Sequence, residues 1–297
     1  MIFDNLPQAP LQPLHLPWLE TAGVACAVLR LDLIDPLLSG NKWFKLQHHL
    51  LAARRQGAAG LISLGGNHSN HLHAFAAAGK RFGFATAGLL RGHEQDTPTV
   101  RDLKAMGMVL HWLGFAGYRA RHGVDFWAPW QARYPGWHCI AEGGGGIEGA
   151  RGCAAIVEQC RAQLGALGWE DYHGWWLAAG TGTTLAGLVL AEAGAHPVHG
   201  AVAVPADHGV EQNVTALVGA HGYHLHDAAR GGFARIDSEL LAFIEQTERQ
   251  CGVPLEAVYT GKALLALRDQ VQAGRFARGS RLVFVHTGGL QGRRGYL

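Results

Sequence analysis

The sequence predicts an α/β fold, a mostly parallel sheet with helices on both faces. Three observations carry that prediction. Short apolar runs of strand length alternate with longer stretches of helical period through most of the 297 residues. Three of the runs end in glycine-rich turns, after Leu64, Ala179 and His286, where parallel strands deliver ligand-binding loops. No short repeat of fixed period recurs, which sets aside solenoids and propellers.

Taken in order, residues 1–20 are rich in proline and leucine without helical period and read as an extended arm. Residues 24–33 are a strand candidate broken by Arg30 and Asp32, and Asp35-Pro36 then turns the chain. A helix over 41–56 places Trp43, Leu46, Leu50 and Ala53 on one face. A strand at 59–64 and the turn Gly65-Gly66-Asn67-His68 lead to a helix from Ser69, with Leu72, Phe75 and Ala76 inward. Strands at 84–90 and 108–112 flank a helix over 97–107. Residues 114–137 mix Arg, His, Tyr and Trp with little period. No nucleic-acid module motif accompanies them, so a loop with one amphipathic helix near 125–132 is the better reading. A strand at 137–141 and the glycine run 143–146 precede a long helix over 147–167. Strands at 175–179 and 198–204 alternate with helices over 185–193 and 208–220. Helices over 238–251 and 262–273 and a strand at 281–286 complete the pattern.

Composition bounds the function. The formal charge of +2 is too near neutral to argue for nucleic acid or an anionic membrane surface. No apolar run is long enough to span a bilayer. The first residues lack a basic stretch followed by an apolar core, so the cytoplasm is the expected compartment. The five cysteines are odd in number and form no Cys-x-x-Cys, against a disulfide framework or a zinc ribbon. Cys153 and Cys160 share a helical stretch about 10 Å apart along its axis, too far for a disulfide.

The chemistry gathers at a few turns. Ser39-Gly40-Asn41-Lys42-Trp43-Phe44-Lys45 sets two lysines three residues apart at a helix start. The chain holds only five lysines against twenty arginines. A desolvated lysine can lose its proton and attack a carbonyl, which arginine cannot do. Two solvated surface cations are the plainer reading. The turn Gly180-Thr181-Gly182-Thr183-Thr184 offers hydroxyls and helix-start N–H groups to one anion. It lacks the Gly-Lys-Ser/Thr ending of a P-loop, and residues 198–205 lack the acid of a dinucleotide site. The phosphate of a small cofactor fits it best; a tight structural turn is the alternative. Ser69 and Asn70 stand at another helix start, where Ser69 doubles as an N-cap. No carboxylate or cysteine nearby completes a metal site with His68, His71 and His73, so no metal is expected. Tyr259 and Thr260 precede a late helix, and Tyr259 reads equally well as a core residue with its hydroxyl satisfied.

A lysine for an imine, a phosphate cradle and hydroxyls at several strand ends suggest pyridoxal phosphate. The ordered set SGNKWFKL, GGNHSNH, GTGTTLAG, VYTGK and FVHTGG resembles the family of 1-aminocyclopropane-1-carboxylate (ACC) deaminase and D-cysteine desulfhydrase. The match runs in order from about residue 10 to 290. The resemblance implies a tryptophan-synthase-β-like fold (fold type II of the pyridoxal phosphate enzymes), with two open, mostly parallel sheets flanked by helices. It implies a large cofactor domain from residues 1–45 and 144–297, a small domain from 46–143, and a homodimer. By resemblance Lys42 forms the Schiff base and moves the proton at the substrate Cα. Lys45, Thr181, Gly182, Thr183 and Thr184 hold the phosphate, and Asn70 meets the ring oxygen. Ser69 meets the substrate carboxylate or relays a proton, Tyr259 faces the substrate, and Thr260 or Thr287 lies near the pyridine nitrogen.

ACC deaminases of the family carry Glu at the position of Thr260 and Leu at that of Thr287. A carboxylate there deepens the electron sink for opening a cyclopropane, whereas a hydroxyl suffices to expel a β-thiol. Threonine at both places favours D-cysteine desulfhydrase chemistry on a small amino acid, with ACC deamination as the rival within the class. A cofactor-binding protein without turnover is the rival outside it. Two departures bear on the substrate: Phe233 stands where the family often has tyrosine, and His68 where many members have glutamine.

Overall fold

The computed structural model describes residues 6–295. Its strands form two sheets. The larger has the order β1 (Leu11–Pro13), β2 (Ala25–Arg30), β10 (Arg281–His286), β7 (Gly174–Ala179), β8 (Val198–Val202) and β9 (Tyr223–Asp227). The smaller runs β5 (Val109–Trp112), β4 (Ala85–Leu90), β3 (Gly60–Gly65) and β6 (Trp137–Cys139), all from within residues 60–139. Every pairing is parallel except β1 with β2. Parallel strands need crossovers, and helices supply them. In order these are α1 (Pro17–Ala22), α2 (Asn41–Arg55), α3 (Asn70–Phe82), α4 (Pro98–Ala105), α5 (Gly114–Arg119), α6 (Ala128–Arg133), α7 (Gly146–Arg161), α8 (Thr183–Glu192), α9 (Val210–Val218), α10 (Ser238–Cys251) and α11 (Thr260–Gln272). None of the described helices is long and apolar enough to cross a membrane.

Local chemistry sets the helix starts. Ser69 accepts the Leu72 N–H at 3.1 Å, Thr97 that of Val100 at 3.1 Å, and Asp237 that of Leu240 at 2.9 Å. The predicted inward face of α2, Trp43, Leu46, Leu50 and Ala53, is buried. Strand β7 is buried throughout, so its two indoles need internal partners. Trp176 Nε1 donates to the Ala263 carbonyl and Trp175 Nε1 to Glu192, each at 2.7 Å. Arg161 Nη2 at 2.8 Å and His196 Nδ1 at 2.7 Å also bond the buried Glu192. A buried carboxylate is tolerated only with such partners.

Helix α7 lies between α2 and α8, with a glycine at each closest contact. A Cβ on Gly152 would fall 2.0 Å from the Phe44 carbonyl oxygen, and one on Gly187 would fall 2.3 Å from that of Ala150. Neither backbone could approach so closely across a methyl group.

Four sequence expectations need correction. The proposed extended arm contains β1, paired with β2, and α1, opened by Pro17; its first five residues lie outside the described ones. Gln159 and Gln163 of and just beyond α7 bond the arm backbone at Ala9 and Leu11, both at 3.0 Å. Gln163 is drawn to the arm, and α7 stops at Arg161 rather than reaching 167; a short 3₁₀ turn, Leu164–Leu167, follows. The loop expected over 114–137 holds two short helices instead of one. Strand β9, Tyr-His-Leu-His-Asp, escapes the apolar pattern because it is a half-buried edge strand.

Candidate active site

The parallel strands bring three turns together at their carboxyl ends. In the six-stranded sheet His286 of β10 is in register with Arg30 of β2, and β7 pairs along the other side of β10. The turn after β10 touches the chain entering α2, where the Asn41 N–H donates to the Thr287 carbonyl at 3.2 Å. Beneath it Arg30 grips Asp32 with two hydrogen bonds, Nε at 2.9 Å and Nη2 at 2.7 Å. Lys42, Ser39, Asn70, Thr287, Gly289 and Gln291 therefore line one small cavity between the ends of α2, α3 and β10.

The floor is built from α2 and the turn into α8. Asn41 Nδ2 donates to Thr184 Oγ1 at 2.8 Å, and Lys42 Nζ donates to Asn41 Oδ1 at 2.7 Å. Lys45 Nζ donates to the Gly143 carbonyl at 2.9 Å and to Thr181 Oγ1 at 3.3 Å, while Thr181 and Thr183 hydroxyls lie 3.1 Å apart. Helix α8 starts from Gly182, at φ 78°, without a side-chain cap, so its first N–H groups face the threonine cluster. Lys45, Thr183 and Thr184 are buried. Desolvation, with the neighbouring Lys45 charge behind it, lowers the Lys42 amine to about 7. Burial lowers Lys45 to about 8. Two ammonium groups confined in low dielectric favour either proton loss or a bound anion.

At the start of α3, Ser69 keeps a free hydroxyl proton, since its oxygen serves as the cap acceptor. Gln291 Nε2 donates to Asn70 Oδ1 at 2.5 Å, leaving the Asn70 amino group to donate into the cavity. His71 is held by Ser63. Ser63 has one proton and gives it to the Ile140 carbonyl at 2.8 Å, so the 2.7 Å contact makes His71 Nε2 the donor to Ser63. Nδ1 is then a bare, buried acceptor with no hydrogen-bond partner. Burial, then the charges of Lys42, Lys45 and His49, hold His71 well below its usual range and neutral.

The rim comes from loops. The Tyr259 ring crosses Gly180 so closely that a Cβ there would fall 2.9 Å from ring Cε1. Burial, with the charges of Glu256 and Glu142, keeps its phenol protonated and able to donate. Phe233, 49% exposed, leans toward Tyr259 and His208, with ring centroids 6.3 and 5.9 Å away. Its loop is held by Lys262 Nζ, which donates to the carbonyls of Ala229 at 2.9 Å and Gly232 at 3.2 Å. On the opposite side Glu142 bonds the Tyr118 hydroxyl and, at 2.7 Å, Arg121 Nε.

The two candidate threonines part company. Thr287 lines the Lys42 cavity. Thr260 is fully buried and its hydroxyl is committed to Glu256, accepting from the Glu256 N–H at 3.0 Å and lying 3.2 Å from Oε1. Sequence reasoning passed over Asn41, Gln291, Glu142 and Glu256. Asn41 sat inside the lysine motif, and Glu256 three residues before Tyr259, so both had a local signal. Gln291 and Glu142 had none.

The model of one family, described as pyridoxal-phosphate dependent enzyme, matches residues 3–288. The chain belongs to that family. Among curated relatives it is 28% identical to a putative ACC deaminase of Pyrococcus horikoshii, with 91% of this chain and 86% of that protein aligned. It is also 28% identical to a bifunctional D-cysteine desulfhydrase/ACC deaminase of Arabidopsis thaliana (95% and 76%) and 27% identical to a D-cysteine desulfhydrase of Serratia proteamaculans (88% and 86%). The solved structure of an ACC deaminase homologue superposes with a TM-score of 0.82 at 26% identity, over 98% of this chain and 93% of the other. The fold is thus that of the type II pyridoxal phosphate enzymes, as the resemblance implied. The donor set suits such a cofactor. An uncapped helix start, three threonine hydroxyls and a buried ammonium answer a phosphate, and a second amine that deprotonates near neutrality answers an aldehyde.

Proposed function

We propose that the chain is a lyase that eliminates the β-substituent of D-cysteine, consuming water and releasing pyruvate, sulfide and ammonia. The observation that carries this reading is the Lys42 amine, lowered to about 7 by burial and linked through Asn41 to the threonine cradle. When bound, pyridoxal phosphate supplies an electron sink for the bond-breaking at Cα and Cβ. Lys42 would hold the cofactor through its amine, then take the proton from the substrate Cα and pass one to the departing sulfur as the Cβ–S bond breaks. Lys45, Thr181, Gly182, Thr183 and Thr184 bind the phosphate. Asn70 donates to the ring oxygen, and Ser69 donates to the substrate carboxylate. Tyr259 closes over the substrate with a protonated phenol.

Thr287, not Thr260, is the hydroxyl assigned to the ring nitrogen, because Thr260 is engaged with Glu256. No carboxylate is among the residues lining the Lys42 cavity. A hydroxyl leaves the ring less protonated than a carboxylate would, which suits expulsion of a good thiol leaving group. ACC deamination is the second reading, supported by relatives that carry that name. We assign residues 1–45 and 144–297 to a cofactor domain and 46–143 to a small domain, a division supported by the four-stranded sheet arising wholly within 60–139. A homodimer follows from the family resemblance. A cytoplasmic setting suits five cysteines that are all unpaired.

The test is a visible spectrum of wild type and Lys42→Ala after incubation with pyridoxal phosphate, followed by assays of sulfide from D-cysteine and 2-oxobutyrate from ACC. A lysine-dependent band with sulfide release supports the proposal. A band with 2-oxobutyrate alone transfers the activity to ACC. No band in the wild type overturns it.

A further inference from the structure

Glu256 lies just ahead of α11, 1% exposed, and among the described residues it hydrogen-bonds to no cation. Its Oε2 accepts the Val258 N–H at 2.7 Å, and its Oε1 accepts the N–H groups of Tyr259 at 2.8 Å and Thr260 at 2.6 Å. The Thr260 hydroxyl adds a fourth donor to Oε1 at 3.2 Å. Burial pushes the Glu256 carboxyl above its usual range, while these four donors and the start of α11 pull the other way, toward the carboxylate. The same bonds fix the turn that carries Tyr259 to the rim. Glu256 also backs the wall of the lysine cavity: a Cβ on Gly289 would fall 3.6 Å from its Cγ and 2.5 Å from Asn70 Nδ2. Gly289 itself lines the cavity with Lys42 and Asn70. Only a residue without a side chain leaves room there for Asn70 and Glu256.

We propose that Glu256 is a positioning residue of the active site, fixing the Tyr259 turn and supplying the negative charge that faces the Lys42 amine across Gly289. The inference rests on Lys42 being the reactive amine of the proposed function. Lys42 is surrounded by Lys45 on its own helix, Cys153 on α7 and Glu256 before α11, with His71 of α3 beside the two lysines. Lys45 opposes the charged form of Lys42, while Cys153 and Glu256 favour it. Burial holds the Cys153 thiol up at about 11, so at neutral pH it is uncharged and the favourable charge is that of Glu256. Around Glu256 itself stand Lys42, the Tyr259 phenol and Lys262.

The test is the pH profile of acylation of Lys42 by an amine reagent in the full chain freed of cofactor, read by peptide mass spectrometry. In the wild type the rate should rise with a midpoint near 7. In Glu256→Gln, which retains an acceptor oxygen for Tyr259 and Thr260, the midpoint should fall by about 1 unit. Glu256→Asp keeps the charge and should stay near the wild type. An unchanged midpoint in folded Glu256→Gln overturns the proposal. If that variant does not fold, a full-unit drop in Glu256→Asp overturns it, and a wild-type midpoint there supports it. Binding of pyridoxal phosphate by the wild type, followed separately by its visible band, decides the underlying reading independently of these profiles.

Discussion

The floor of the site and its rim are assembled from different materials. On the floor, Asn41, Lys45, Thr183 and Thr184 are buried and bonded to one another across two helices and the glycine loop at 143–146. At the rim, Phe233 is half exposed on a loop in which Arg230 and Ala234 take left-handed φ of 53° and 54°. Glu142 there reaches the Tyr118 and Arg121 side chains of the segment between β5 and β6. The floor's donors are fixed by these bonds, which suits them to one kind of ligand. The rim has loops that can change without disturbing the sheets, the usual place for substrate preference to vary.

The sharpest way to break this contrast is at Lys42. Lys42→Ala should lower turnover by about 1,000-fold or more, because both covalent attachment and proton transfer depend on one amine. Initial rates of sulfide release check it, with the visible band as the parallel readout. Lys45→Ala should weaken cofactor retention by about 10-fold or more, the worth of a charged hydrogen bond in a buried site, measured by equilibrium dialysis.

A stability measurement separates burial from chemistry. The unfolded Lys42 amine keeps its proton to about 10.5, while the folded one releases it near 7. Between those values the unfolded chain binds the extra proton, so this residue makes the cofactor-free chain more stable as pH rises. Below pH 7 the whole cost of the buried charge is present. Lys42→Met removes it, so the variant should gain melting temperature over the wild type most at pH 6 and least at pH 10.

The smallest effect is expected at the rim. Phe233→Tyr should change KM for D-cysteine or ACC by less than about 10-fold while leaving cofactor affinity alone, since one hydroxyl at a half-exposed site adds at most a modest hydrogen bond. A loss of cofactor in that variant would erase the distinction between floor and rim.

Legibility in the sequence follows the same division. The lysine pair and the Thr-Gly-Thr-Thr turn announce themselves because a helix start, small residues and hydroxyls act within a few positions of one another. Strand β10 and helix α10 appear at their predicted limits for the same local reason. The arm was misread because β1 finds its partner in β2 and its tether in Gln159 and Gln163, about 150 residues away. Thr260 and Thr287 were indistinguishable as letters. Only the folded chain turns one hydroxyl to Glu256 and leaves the other in the cavity. Strand β9 was hidden because its histidines are stabilised by neighbours, the exposed His224 stacking on His199 at 4.9 Å and the half-buried His226 lying 3.1 Å from His199 Nδ1.

The seam of Gly152 and Gly187 gives this enzyme a gauge. The Lys42 amine rides on α2 and the threonine turn leads into α8, and the spacing between the two helices is set by α7 with a glycine at each contact. The separation of Lys42 from the threonine turn is therefore machined to a tolerance of one carbon atom, at positions whose nearest contacts are with neither. A methyl group added there would act as a shim, moving Lys42 relative to the threonine turn while both remained in the sequence.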